Sequence, residues 1–286
     1  MDWFLLALST LFMATGALIG GAFNRTGAKG NTQPLYATVL IIFATICWGI
    51  LFIFQPEVHA GVIIYSILFG ICYASSNICL IMALKHGPIS LSNLFLQFSL
   101  IVTSIWGLLF WNSELKPTVF IGLAVAAVSL VLCLYRKESS KINLKWLIWA
   151  ILLLVSNAGC AIIQKSQQLA FDFKYGTSFM FFATVISSIA SIAWFALAKK
   201  PENTSTVIKK YGFLPCIAGI INFLLNLLVI MLASGTLSPS LIYPVIAIGG
   251  IAINSVASVI FFKERLAAVQ WIGIALGAVA VALLSL

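Results

Sequence analysis

Long apolar runs, broken at short intervals by Gly, Pro, Asn and charged residues, divide the chain into ten segments: residues 3–23, 36–54, 60–84, 89–111, 118–135, 146–170, 176–198, 212–232, 239–261 and 267–286. None alternates apolar and polar over about ten residues, as a strand of an outer-membrane barrel would. A helix needs about 20 apolar residues to cross a hydrocarbon core. The pattern therefore predicts ten transmembrane helices with short connections. The longest polar breaks are Arg136 to Lys145 and Lys199 to Lys210. Trp3 to Phe23 reads as the first span and not as a signal peptide, because Met1-Asp2 supplies no positive charge ahead of it.

The two halves of the chain share features in the same order. At an offset of 149, Gly70, Asn77 and Met82 of the third span meet Gly219, Asn226 and Met231 of the eighth. Ser90 and Ser92 correspond to Ser238 and Ser240, Glu114-Leu115 to Glu264 and Leu266, and Gly122 to Gly273. The drift of the offset from 148 to 151 needs only small insertions in loops and at helix ends. We expect two five-helix repeats, residues 1–135 and 146–286, joined by a basic loop at 136–145. Five is odd, so the second repeat enters the membrane from the opposite side. The fold class expected is an all-α integral membrane protein of ten transmembrane helices in two inverted repeats, a plan that places substrate sites near the midplane between the halves.

Composition agrees with a lipid environment. The 286 residues are 62% hydrophobic and 8% charged, against about 25% charged in an average soluble domain. The net charge of +9 does not point to nucleic acid, which requires a basic patch on a folded aqueous face. Sorted by loop, 13 basic residues follow odd-numbered spans and two, Lys116 and Lys174, follow even-numbered ones. The positive-inside rule then puts the odd loops in the cytoplasm and both termini outside. Cysteines 47, 72, 79, 133, 160 and 216 all sit in apolar runs without ligand spacing, and read as small buried hydrophobes.

Ten spans in two inverted halves, with Ser90-Leu91-Ser92 through Glu114-Leu115 and Ser238-Pro239-Ser240-Leu241-Ile242-Tyr243-Pro244 through Lys263-Glu264-Arg265-Leu266, resemble the drug/metabolite transporter superfamily, in particular its EamA-type members. The likeness covers essentially the whole chain. It implies secondary transport of small metabolites, often export, through a cavity lined by spans one, three, four, six, eight and nine. Two features depart from the family pattern: many members keep their termini in the cytoplasm, and this first span has no acidic residue where related small multidrug exporters carry a proton-coupling glutamate.

Polar residues inside the spans are the candidates for chemistry, since they are costly in hydrocarbon and usually face protein or a water-filled cavity. Tyr73 with Asn77, and Asn222 with Asn226, are spaced by four on spans three and eight, so each pair shares a helical face. They either line one site or hydrogen-bond helices together. Asn93 and Gln97 form a similar pair on span four, opposite Tyr243 and Asn254 on span nine, where Pro244 frees a backbone carbonyl one turn earlier. Asn157, Gln164 and Lys165 mark span six. Lys165 either faces the cavity, favouring a carboxylate or phosphate, or snorkels to the headgroups.

All seven acidic residues, Asp2, Glu57, Glu114, Glu138, Asp172, Glu202 and Glu264, lie at span ends or in loops. This disfavours an antiporter switched by a membrane carboxylate. No metal-ligand cluster, nucleophile motif or paired intramembrane aspartate is present, and the two histidines, His59 and His86, are at span ends. We expect no enzyme and no cofactor. The expected function is alternating-access transport of a small polar or amphipathic solute, such as an amino acid, through Tyr73, Asn77, Asn93, Gln97, Asn157, Lys165, Asn222, Asn226 and Tyr243. Its partners are the substrate, the lipid bilayer and a coupling ion, proton or sodium. The expected setting is a bacterial inner (plasma) membrane. The alternatives are a facilitative uniporter and a membrane interaction or sensor protein that transports nothing.

Overall fold

A computed structural model describes residues 1–25, 32–86, 89–111, 116–133, 135, 144–197, 211–262 and 267–285. Within them the chain forms α1 (Asp2–Arg25), α2 (Gln33–Phe54), α3 (Ala60–His86), α4 (Ile89–Phe110), α5 (Pro117–Cys133), α6 (Leu144–Ala170), α7 (Gly176–Leu197), α8 (Phe213–Ala233), α9 (Pro239–Phe262) and α10 (Ala268–Ser285). Each apolar run of the sequence has become one helix. The ends follow local chemistry. Helix α2 begins at Gln33, ahead of its apolar run, because Pro34 fits the first turn, where backbone N–H groups have no partner within the helix. It stops where the Gln55 N–H bonds back to the Leu51 and Phe52 carbonyls. Pro56 then disfavours helical geometry at the residue before it.

Helices α1, α2, α3, α6, α7 and α8 are long and apolar enough to cross a membrane, and α4, α5, α9 and α10 carry shorter apolar stretches. The 22 residues of α2 make a rod of about 33 Å, which matches a hydrocarbon core of about 30 Å. The protein is an all-α, multi-pass membrane-spanning helical bundle. Its outside is apolar: Ile46, Ile50 and Ile53 of α2 and Ile64, Ile67 and Ile71 of α3 are exposed. Many hydroxyls within the helices bond their own backbone, as Thr10 does to the Leu6 carbonyl and Thr184 to that of Met180, so they cost little in lipid.

Four apolar clusters fill the interior, and two of them are large. One joins Leu6, Leu130, Leu232 and Ile248. The other joins Trp48, Phe69, Phe179 and Met180, with Tyr73 and Phe223 packed against it.

Helix packing pairs off in a regular way. Helix α1 packs on α8 and α9 while α6 packs on α3 and α4; α2 packs on α8 while α7 packs on α3; and α5 packs on α10. The correspondence extends to residues. Gly70 approaches Ala183 and Ile186, and Gly219 approaches Leu40 and Phe43. The glycines are 149 residues apart and their neighbours 143. Gly122 meets Leu283 and Leu284, and Gly273 meets Leu132 and Cys133, with an offset of 151 on both sides. Gly16 lies against Ile221, and Gly159 against Cys72, again at 143 and 149. Small residues at these crossings let backbones approach closely, which is how helices associate where lipid removes the hydrophobic drive between them.

Candidate functional site

A polar pair lies at mid-height between α3 and α8. The Tyr73 hydroxyl donates to Asn222 Oδ1 at 2.9 Å. Tyr73 is 13 residues into α3, about 20 Å from its end, and Asn222 is beside the centre of α8. The four-residue spacing seen in the sequence has a definite use. Asn77 Nδ2 donates to the Tyr73 carbonyl at 2.8 Å, and Asn226 Nδ2 to the Asn222 carbonyl at 2.9 Å and Asn222 Oδ1 at 3.3 Å. Both asparagines thus bond one turn back on their own helix, and among the described residues neither bonds another helix. A second bond of the same kind joins Thr45 of α2 to Ser188 of α7 at 2.8 Å. The partners are separated by 143 residues in one case and 149 in the other, the offsets that relate the matched packing contacts.

The remaining candidates are placed in different surroundings. Asn157 ties three helices together: its Nδ2 donates to Ser99 Oγ at 2.6 Å and to the Leu96 carbonyl at 3.5 Å on α4, and its Oδ1 accepts from Ser76 Oγ of α3 at 3.3 Å. Gln97 is half-buried, with an Oε1 that has no hydrogen-bond partner. Tyr243 is buried next to Pro244 inside α9. The side chains of Asn93 and Asn254 lie outside the described residues, as do Glu114 and Glu264.

Lys165 is turned into the protein. It is 7% exposed, and its Nζ donates to the carbonyl of Ala233, the last residue of α8. A cation there meets the negative end of the helix dipole. The Phe173 ring lies 4.9 Å away and adds a cation–π contact. Gln168 pins the same helix end, with Nε2 donating to the Ile230 carbonyl at 3.3 Å. Gln167 Nε2 donates at 3.0 Å to the Lys174 carbonyl, in a connection where Asp172, Phe173 and Tyr175 adopt positive φ of 48°, 60° and 60°. Gln164 Nε2, Gln167 Oε1 and Gln168 Oε1 are buried without partners. Gln167 and Gln168 were not among the sequence candidates, although five consecutive polar residues, 164–168, after a long apolar run are a visible signal.

The loops after even-numbered helices define one face of the bundle, and a cavity of about 420 Å³ opens there. Trp48 and Leu227 line it from α2 and α8, Phe173 and Tyr175 from the α6–α7 connection, and Thr177 and Ser178 from α7. Trp48 is six residues from the end of α2, about 9 Å deep. Its ring packs edge-on against Phe223 at 4.8 Å, and Phe69 packs against Tyr73 and Phe179. Trp48 and Tyr73 thus belong to one apolar cluster. Nothing in the sequence pattern singles out Trp48, since an indole in an apolar run is unremarkable until its neighbours are known.

No family model matches the chain, and no curated protein matches it. Among 29 matching chains of solved structures, one titled "Crystal structure of protein" aligns with 99% of this chain and 95% of its own, with a TM-score of 0.75 and 11% sequence identity. That likeness is one of fold.

Proposed function

We propose that the chain is a secondary transporter of the drug/metabolite transporter superfamily, EamA type, built from inverted repeats 1–135 and 146–286, which moves a small polar or amphipathic solute by alternating access. The observation that carries this reading is the pair of hydrogen bonds between corresponding residues, Thr45 to Ser188 and Tyr73 to Asn222. A contact between repeat mates sits on the axis that exchanges the repeats. Both bonds lie near mid-height of their helices, where the axis of an inverted repeat must run. The matched glycine contacts support the same axis.

Rocking of one half against the other exchanges each off-axis contact for its mate, and leaves on-axis contacts in place. Thr45–Ser188 and Tyr73–Asn222 then act as the pivot. Asn77 and Asn226, bonded only to their own helices among the described residues, keep their carbonyl oxygens for a solute. Bonds between the halves to one side of the axis, such as Thr177 to Gln55, belong to one state of the cycle. Recognition by amides and hydroxyls, without a carboxylate in the spans, suits a neutral or zwitterionic solute.

The test is a thermal-shift screen of detergent-solubilised protein against a metabolite panel, because a ligand that binds only the folded form raises apparent stability. Counterflow of each hit in proteoliposomes follows. Carrier-mediated exchange is expected, with accumulation under a proton or sodium gradient. Exchange without accumulation would leave a uniporter, and hits that never cross would leave a binding protein.

A further inference from the structure

The cavity on the even-numbered face has a chemical bias written in its lining. Trp48 is 1% exposed, and its Nε1 has no hydrogen-bond partner. An indole N–H can only donate. Leaving a buried donor unpaired costs roughly 1–3 kcal/mol, a loss that a ligand acceptor in the cavity would recover. Phe54, Phe173 and Tyr175 also line the space, and aromatic faces of this kind stack on flat rings. The aliphatic hydroxyls are already committed as donors: Thr177 donates to Gln55 Oε1 at 3.1 Å, and Ser178 to the Tyr175 carbonyl at 3.0 Å. What the lining still offers is the Gln55 amide nitrogen and the Tyr175 hydroxyl, two further donors.

Charge narrows the ligand further. None of the lining residues is basic, and Glu57 is the charged one among them. The buried cation nearby, Lys165, is spent on the Ala233 carbonyl and covered by Phe173. A carboxylate or phosphate entering here would lose its hydration next to Glu57 with no cation to replace it. The volume of about 420 Å³ lies within the usual range for small-molecule sites.

We propose that this cavity binds a planar, uncharged solute carrying a hydrogen-bond acceptor, an aromatic amide or heterocyclic carbonyl, recognised by the indole N–H of Trp48. The inference rests on the transporter reading only in treating that solute as cargo; the binding stands on the cavity itself.

Equilibrium dialysis of the full chain in detergent tests it, with nicotinamide and caffeine as neutral probes and nicotinate and urate as planar anions. The neutral probes are expected to bind, and the anions to bind at least tenfold more weakly. Trp48→Phe keeps a ring but removes the donor, and should weaken neutral binding about tenfold, as expected for one hydrogen bond. Failure of both neutral probes to bind, equal binding of the anions, or indifference to Trp48→Phe overturns the proposal. Should that variant not fold, Leu227→Trp decides, since it keeps Trp48 and fills the cavity; retained neutral binding overturns the proposal. Flux is read separately in proteoliposomes. Selective binding without flux removes the transport reading and leaves the site standing, whereas flux of a neutral probe unaffected by Trp48→Phe does the reverse.

Discussion

Asn157 and Asn226 are the same residue type in the same solvent, but their neighbours give them different work. Asn157 satisfies Ser76 and Ser99 on two other helices, and Asn226 bonds one turn back on its own. Asn157→Leu should therefore lower the unfolding temperature of purified protein, at a cost of about 1–2 kcal/mol, the upper part of the range for polar contacts between membrane helices. Asn226→Leu should shift that temperature far less and abolish counterflow of the solute found by screening. Undiminished counterflow in a folded Asn226→Leu protein would remove Asn226 from the pathway. The sequence marked both asparagines by their polarity in an apolar run, and it had no means of telling them apart. Lys165 makes the same point. Its partner, the Ala233 carbonyl, is 68 residues away, so spacing along α6 says nothing about it.

At the scale of helices, close packing sets the tolerance to substitution. A Cβ at Gly70 would lie 2.8 Å from the Ala183 carbonyl oxygen, and one at Gly219 2.5 Å from that of Leu40. Backbone atoms cannot swing aside as a flexible side chain can. Gly70→Val and Gly219→Val should each cost at least the 1–3 kcal/mol typical of overpacking, seen as reduced monodisperse protein in size-exclusion chromatography. Gly21→Ala is the control, because nothing lies within 4 Å of its added carbon.

The proposed pivot predicts a second contrast, along the α2–α7 pair. A disulfide from Thr45→Cys with Ser188→Cys should leave counterflow largely intact, since an on-axis contact persists through the cycle. One from Gln55→Cys with Thr177→Cys should stop it, by holding the end of α2 on the start of α7, away from the axis. Arrest by both crosslinks would refute the pivot. Helix positions were legible in the apolar runs, and the glycine mates in their spacing. The partners α7, α2, α10 and α5 that those glycines meet were not, because helical periodicity shows that a face is apolar or small without naming what covers it.

For the molecule as a whole, the asymmetry of charge between loops predicts orientation. In a chain freed of its native cysteines, Glu57→Cys should react with a membrane-impermeant maleimide added outside intact cells, and Ser139→Cys only after permeabilisation. Labelling of Ser139→Cys from outside would invert the topology, and with it the side from which a solute reaches Trp48.

The sequence alone determined the apolar solvent, the positions of ten helices and the recurring order of features along the two halves. These follow from composition, run length and order, which are properties of the chain in one dimension: hydrocarbon demands long uncharged helices wherever it is crossed. The tertiary structure decided which polar groups meet. Tyr73 finds Asn222, Lys165 caps α8, and Trp48, its donor unpaired, lines a cavity. A hydrogen bond depends on distances of about 3 Å between groups, and only packing brings residues 68 or 149 positions apart to that distance.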